Sequence, residues 1–271
     1  MVPYRIEKCL LFSEDFKKQL MGVPTPTSLE EITDDSEHSL LLKEIDLFFG
    51  VNAMRFGSIY GFAQEQNGQV VQNLFPIKRD EGRQISSSSE TVLEMHTETA
   101  FHPWRPEVVM LLCMRGDVNA GTNLATLPDI VARLDEETIR ILHLPEFKTR
   151  IDESFQSEEQ ADREILTPIL FNNATSMTYD RALMKSVTEA GNRALQAFSN
   201  AIEEVKKTVF LKTGEILVIN NRTTVHGRTP FKARYDGTDR WLKRAMVSTK
   251  LPDWDEMEIR DGRWKVVTTR F

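Results

Sequence analysis

Cysteine is almost missing. Only Cys9 and Cys113 occur in 271 residues, and they lie far apart. Paired C-x-x-C zinc sites are thereby excluded, and two reduced core thiols are expected in preference to a disulfide. Histidine is also scarce: His38, His96, His102, His143 and His226 are the full set. Long apolar runs are lacking, since none approaches the ~18 residues of a membrane-spanning helix. The apolar stretch near the start is short and broken by Ser13, Glu14 and Asp15. With no small-residue cleavage site after it, no signal peptide is read, and the cytoplasm is the expected compartment. Positive charge is not in excess. The net charge of −7 and a pI near 5.4 make a general binder of nucleic-acid backbones or anionic membranes a poor fit.

What is present is an ordinary globular mixture, 40% hydrophobic and 28% charged, enough to bury a core. No internal repeat occurs, and the four serines Ser86–Ser89 are the one homopolymer of note. Ser28 and Glu31 form a capping-box pattern. Leu41, Ile45, Phe48 and Phe49 then recur at helical spacing, with Gly50 as the expected stop. Beyond them the texture is that of strands: FGSIYGFAQE, GQVVQNLFPI and ETVLEMHTE, divided by turn residues. VVMLLCMRG suits a strand buried on both faces. Pro128 and Asp129 open a helix to Leu134, with a second to Leu142. A long helix is expected from Asp180 to Lys207. GEILVIN, TTVHG, WLKRAMVST and WKVVTT close the chain as strands. Strict β-α-β alternation is absent, so a mainly β chain with flanking α-helices and a two-sheet jelly-roll core fits best. No linker divides it. One domain over 1–271 is expected, with a helical cover in the first ~55 residues and a helical insertion at about 128–207.

The chemistry concentrates at His96-Thr97-Glu98. Residues i and i+2 of a strand share a face, so His96 and Glu98 can aim at one point. His226, on a strand ending at Gly227, is the best third ligand, although His102 in AFHPW can also join. Two histidines and one carboxylate leave open coordination positions, which suits non-haem Fe(II) and equally a catalytic zinc. Downstream, TDRWLKRAM carries Arg240 and Arg244. A hairpin can return Arg240 beside the metal, where a guanidinium would grip a dicarboxylate. The competing reading pairs Arg240 with Asp236 or Asp239 at the surface.

LEMHTETAFHPWRPEVVMLLCMRGD and INNRTTVHGRTPFKARYDGTDRWLKRAM together resemble the clavaminate synthase-like group of Fe(II)/2-oxoglutarate oxygenases, which includes asparagine, arginine and lysine hydroxylases. Weaker similarity extends through VVQNLFPI, the serine run and MTYDRALM. The resemblance implies a double-stranded β-helix core. It implies His96, Glu98 and His226 as iron ligands and Arg240 as the clamp on the distal carboxylate of 2-oxoglutarate. Thr126 is the best match for a threonine joining that clamp, with Thr122 open. Arg244 matches a substrate-carboxylate arginine, and Asp180 an acid that meets the polar end of the substrate side chain; an N-cap is its alternative role. Ser86, Ser87, Glu65 and the neighbouring Gln64, Gln72 and Asn73 fall where relatives hold the amino-acid backbone. The implied function is hydroxylation of an unactivated C–H of a free L-amino acid with an arginine, lysine or amide-type side chain. It consumes 2-oxoglutarate and O2 and releases succinate and CO2. Desaturation or cyclisation by the same chemistry, a zinc hydrolase and a non-catalytic jelly-roll binding protein are the alternatives.

Overall fold

The computed structural model describes residues 2–9, 11–32, 37–152, 155, 164–251, 257–260 and 263–266. In chain order the strands of the first half are β1 (Tyr4–Lys8), β2 (Ser58–Phe62), β3 (Val71–Leu74), β4 (Leu93–His96), β5 (Val108–Arg115), β6 (Thr122–Thr126), β7 (Phe147–Arg150) and β8 (Glu164–Thr167). They are followed by β9 (Leu170–Phe171), β10 (Ser176–Met177), β11 (Met184–Ser186), β12 (Lys207–Val209), β13 (Glu215–Asn220), β14 (Thr224–Arg228), β15 (Trp241–Ser248), β16 (Met257–Arg260) and β17 (Arg263–Val266). The helices are α1 (Glu14–Met21), α2 (Ser39–Ala53), α3 (Leu127–Val131), α4 (Glu136–Leu142) and α5 (Glu189–Val205).

Two antiparallel sheets face each other. The larger runs β1-β13-β5-β15-β2-β17-β16, with β3 also paired to β15; the smaller runs β12-β6-β14-β4. Apart from the parallel β17–β2 contact, their pairings are antiparallel. This is the jelly-roll core the strand pattern predicts. β5 shows why its sequence is apolar throughout. Val109, Leu111 and Cys113 turn inward and join Leu124 of the smaller sheet, while Val108, Met110, Leu112 and Met114 turn outward onto Leu42, Ile45, Phe49 and Ala53 of α2. The outer face of the smaller sheet (Met95, Ala125, Val225) is covered by Ile130, Leu142, Phe198 and Ile202 from α3, α4 and α5. Both cysteines are buried and free.

Several expectations are corrected. The N-terminal segment is more than a helical cover, because β1 forms an edge of the larger sheet against β13. α2 runs through Gly50 to Ala53; the glycine is buried beside Ile59 and Val71 instead of ending the helix. At the capping-box pattern, Thr27 rather than Ser28 bonds the Glu31 carboxylate. The insertion at 128–207 is mixed. It contains α3, α4 and α5, but also the β11-β7-β8 sheet and the β9-β10 pair. The long helix starts at Glu189, capped by Thr188, because β11 occupies the residues before it. The last residues of the WKVVTT strand, 267–269, lie outside the described residues.

Candidate metal centre

β14 is paired to β4 with His226 directly opposite His96, so both imidazoles leave the inner face of the smaller sheet side by side. Their ring centroids are 4.5 Å apart. Nε2 of His226 lies 3.4 Å from Oε2 of Glu98. Ligand atoms from His96, Glu98 and His226 all fall within 4.8 Å of one another, the distances one bound cation requires. Nδ1 of His96 bonds the Glu94 carbonyl at 2.7 Å. A carbonyl only accepts, so Nδ1 carries the proton and Nε2 keeps its lone pair for a metal. Burial and the neighbouring His96 lower the pKa of His226, which favours the neutral imidazole a metal needs. At Gly227 a side chain would sit 2.5 Å from the Leu93 carbonyl, so glycine is what lets β14 lie this close to β4.

Glu98 lies beyond the end of β4 and is aimed by other means. Its backbone N–H donates to Oδ1 of Asn221 (2.7 Å), while Nδ2 of Asn221 donates back to the Glu98 carbonyl (3.2 Å) and to that of Pro106 (2.8 Å). Thr97 N–H donates to the Tyr179 carbonyl at 2.7 Å. Asn221 escaped the sequence reading, because a turn asparagine before a strand carries no mark of such a clamp.

Arg244 of β15 points inward and donates from Nη1 to Oε1 of Glu98 (2.7 Å) and from Nη2 to Oε1 of Glu65 (2.8 Å). Its Nε donates to Gln72 Oε1 at 2.8 Å. Burial would raise the Glu98 carboxyl, but Arg244, His226 and His96 together hold it well below the usual carboxylate range. Glu65 goes the other way: burial raises it against the pull of Arg244. Arg244, which the resemblance implies as a substrate-carboxylate arginine, thus stands between two carboxylates at the cavity.

Arg240 is buried between the sheets, and burial lowers its pKa to about 10. It pairs with neither Asp236 nor Asp239: Asp239 accepts from the Arg234 and Tyr235 backbones, and Asp236 from Thr238. Its Nη2 donates to Oγ1 of Thr122 at 3.3 Å. Thr126, the expected partner, is corrected here. Its hydroxyl turns to Asp129 (2.7 Å) at the start of α3, whereas Thr122 shares the inner face with Arg240. A buried guanidinium whose hydrogen-bond partner among the described residues is one hydroxyl fits an incoming carboxylate.

A cavity of about 220 Å³ opens against the triad, lined among others by His96, Glu98, Gln64, Glu65, Ser86, Ser87, Asp152, Asp180 and Arg244. Asp180 heads no helix. Its Oδ1 accepts from the Ala182 and Leu183 amides (both 2.9 Å) in a turn at the cavity wall. Burial raises its pKa, offset in part by His96. Asp152 on the same wall was missed, since it lies in a stretch without periodicity. Ser87 donates to Oδ2 of Asp80 at 2.7 Å. Oε1 of Gln64 and Oε2 of Glu65 are buried acceptors that meet no donor among the described residues. His102 is turned aside, accepting from Trp104 N–H (3.0 Å) against Phe62. His143 closes α4, and His38 precedes α2.

A jelly roll with two histidines and a carboxylate on one inner wall, and a buried guanidinium between its sheets, has the architecture of a mononuclear non-haem iron oxygenase. The chain belongs to the taurine catabolism dioxygenase TauD, TfdA family, whose model matches residues 49–246. The cofactors of that family, Fe(II), 2-oxoglutarate and O2, are those the resemblance implies. The chain is 37% identical to L-asparagine oxygenase of Streptomyces coelicolor, over 78% of this chain and 64% of that protein. It is 32% identical to L-lysine 3-hydroxylase of Catenulispora acidiphila, over 92% and 69%. Among solved structures, the non-heme iron oxygenase OrfP in complex with Fe, succinate and (3S)-hydroxy-L-Arg superposes with a TM-score of 0.83. That match has 26% identity and covers 97% of this chain and 82% of that one. Among the described residues no helix is long and apolar enough to cross a membrane.

Proposed function

We propose that this protein hydroxylates an unactivated C–H of a free L-amino acid whose side chain ends in a cation or an amide. His96, Glu98 and His226 would hold Fe(II), and Arg240 with Thr122 the distal carboxylate of 2-oxoglutarate. Bound there, the metal and the keto acid supply the chemistry that turns 2-oxoglutarate and O2 into succinate and CO2, leaving one oxygen atom in the C–H bond. The chain itself positions. The observation that carries the substrate reading is a pair of buried acceptors without a donor among the described residues, Gln64 Oε1 and Glu65 Oε2, on the wall that also holds Glu98. An α-ammonium group would satisfy both. Nη1 of Arg244 has a second hydrogen beyond the one given to Glu98, and that hydrogen is available for the α-carboxylate. Ser86 and Ser87 close the same wall. Asp180 and Asp152 face the far end of the substrate, where a carboxylate in a buried setting selects a cation or a donor amide. Cys9 and Cys113, both free thiols, suit a reducing cytoplasmic setting for ferrous iron.

The test is succinate release across the common amino acids with Fe(II), ascorbate and air. Release should follow arginine, lysine, ornithine, citrulline or asparagine and vanish with their Nα-acetyl forms. Succinate release that no amino acid stimulates would overturn the reading. Asp180→Ala should lower kcat/KM for a cationic substrate about a hundredfold or more while sparing uncoupled 2-oxoglutarate turnover; an unchanged substrate profile would remove Asp180 from recognition. Thr122→Val should raise the KM for 2-oxoglutarate about tenfold, the loss of one hydrogen bond to a charged group. Thr126→Val should leave that KM unaltered, and the reverse pattern would restore Thr126 to the clamp.

A further inference from the structure

Arg228 lies two residues past His226 on β14 and is buried. Its guanidinium donates to the Ser88 carbonyl (2.5 Å), the Ser88 hydroxyl (2.9 Å) and the Thr91 carbonyl (3.0 Å), and it stacks 5.2 Å from the Phe231 ring centroid. Longer contacts reach the Ser86 and Thr229 carbonyls. All these acceptors are neutral. In the strand register Arg228 stands opposite Thr122, the residue whose hydroxyl accepts from Arg240. Two buried guanidiniums thus flank one threonine, and among the described residues neither forms an ion pair with a carboxylate. Buried like charges repel, and a dianion seated beside them removes the repulsion.

We infer that Arg228 couples cosubstrate binding to the serine segment that walls the substrate cavity. The inference rests on Arg240 holding 2-oxoglutarate. When the dianion is bound, Arg228 no longer faces an uncompensated neighbour, and its full donor set tightens on Ser88 and Thr91. Ser86 and Ser87 are thereby fixed at the cavity before the amino acid arrives. By linkage the amino acid favours 2-oxoglutarate to the same extent. A merely static tie between β14 and the segment would hold the loop equally with and without the dianion.

The amides of Ser88, Ser89 and Glu90 are hydrogen-bonded to the Ile85 and Glu81 carbonyls, so their hydrogen exchange reports opening of this segment. The experiment is exchange on the full chain with Mn(II) in place of iron, with and without 2-oxoglutarate. Saturation is established by calorimetry on the same samples. In wild type, 2-oxoglutarate should slow these amides about fivefold to tenfold. Arg228→Lys, which keeps the charge but loses the fork, should still bind 2-oxoglutarate and show no slowing. Ser88→Ala, which keeps the arginine and removes one acceptor, should reduce the slowing about twofold or more. Unchanged exchange in saturated wild type, full slowing in Arg228→Lys, or full slowing in Ser88→Ala would each overturn the coupling. No 2-oxoglutarate binding in wild type would instead overturn the cosubstrate reading beneath it.

Discussion

Arg240→Leu is expected to raise the 2-oxoglutarate concentration for half-maximal turnover by about a hundredfold or more while Fe(II) still binds. The reason is the isolation of the group. Arg240 is buried, donates among the described residues to one hydroxyl and forms no ion pair with Asp236 or Asp239. A carboxylate arriving there meets a cation that burial has already stripped of water, and truncating one partner of such a pair costs about 2–5 kcal/mol. The proposed metal ligands lie on β4 and β14 and just beyond β4, whereas Arg240 precedes β15, so iron affinity should be nearly untouched. The measurements are the 2-oxoglutarate dependence of succinate formation and Fe(II) binding followed separately. An unaltered 2-oxoglutarate requirement would end the clamp assignment.

Arg244→Met should produce the other large effect, on stability as well as turnover. Arg244 stands between Glu98 and Glu65 and bonds both, within a buried cluster. Removing it leaves two buried carboxylates facing each other, a loss of about 3–5 kcal/mol. That corresponds to a fall of roughly 10 °C in Tm for a chain of this size. Added Fe(II) should recover more Tm in the variant than in wild type, because the metal then supplies the missing positive charge beside Glu98. Arg244→Lys should regain part of the Tm but not the amino-acid KM, since an ammonium lacks the fork that serves Gln72, Glu65 and Glu98 together. A variant melting within about 2 °C of wild type would show that Arg244 is not what holds the two acids.

What could be read from the residues was what periodicity and chemistry encode locally. The unbroken apolar run of β5 announced burial on both faces, and the structure gives it a sheet on one side and α2 on the other. The i, i+2 relation brought His96 and Glu98 together, although Glu98 is aimed by Asn221 and not by a continuing strand. His226 followed from the scarcity of histidine and was fixed by register. Non-local pairing stayed hidden. β1 looks like any polar N-terminus until β13 is beside it. Thr122 and Thr126 are four residues apart on one strand, and only the approach of Arg240 separates their roles. Asp152 and Asn221 carry no periodic signal, so their places came from tertiary structure alone.

The two histidines are facing rungs of one β-ladder. The gap between them is thus a backbone constant, the spacing of neighbouring strands, and owes nothing to any loop. The cavity wall is built the opposite way, from turns and irregular segments carrying Ser86, Ser87, Asp152 and Asp180. The ladder fixes the two histidines, whereas the residues proposed to choose the substrate sit on turns that mutation can redraw without shifting β4 against β14.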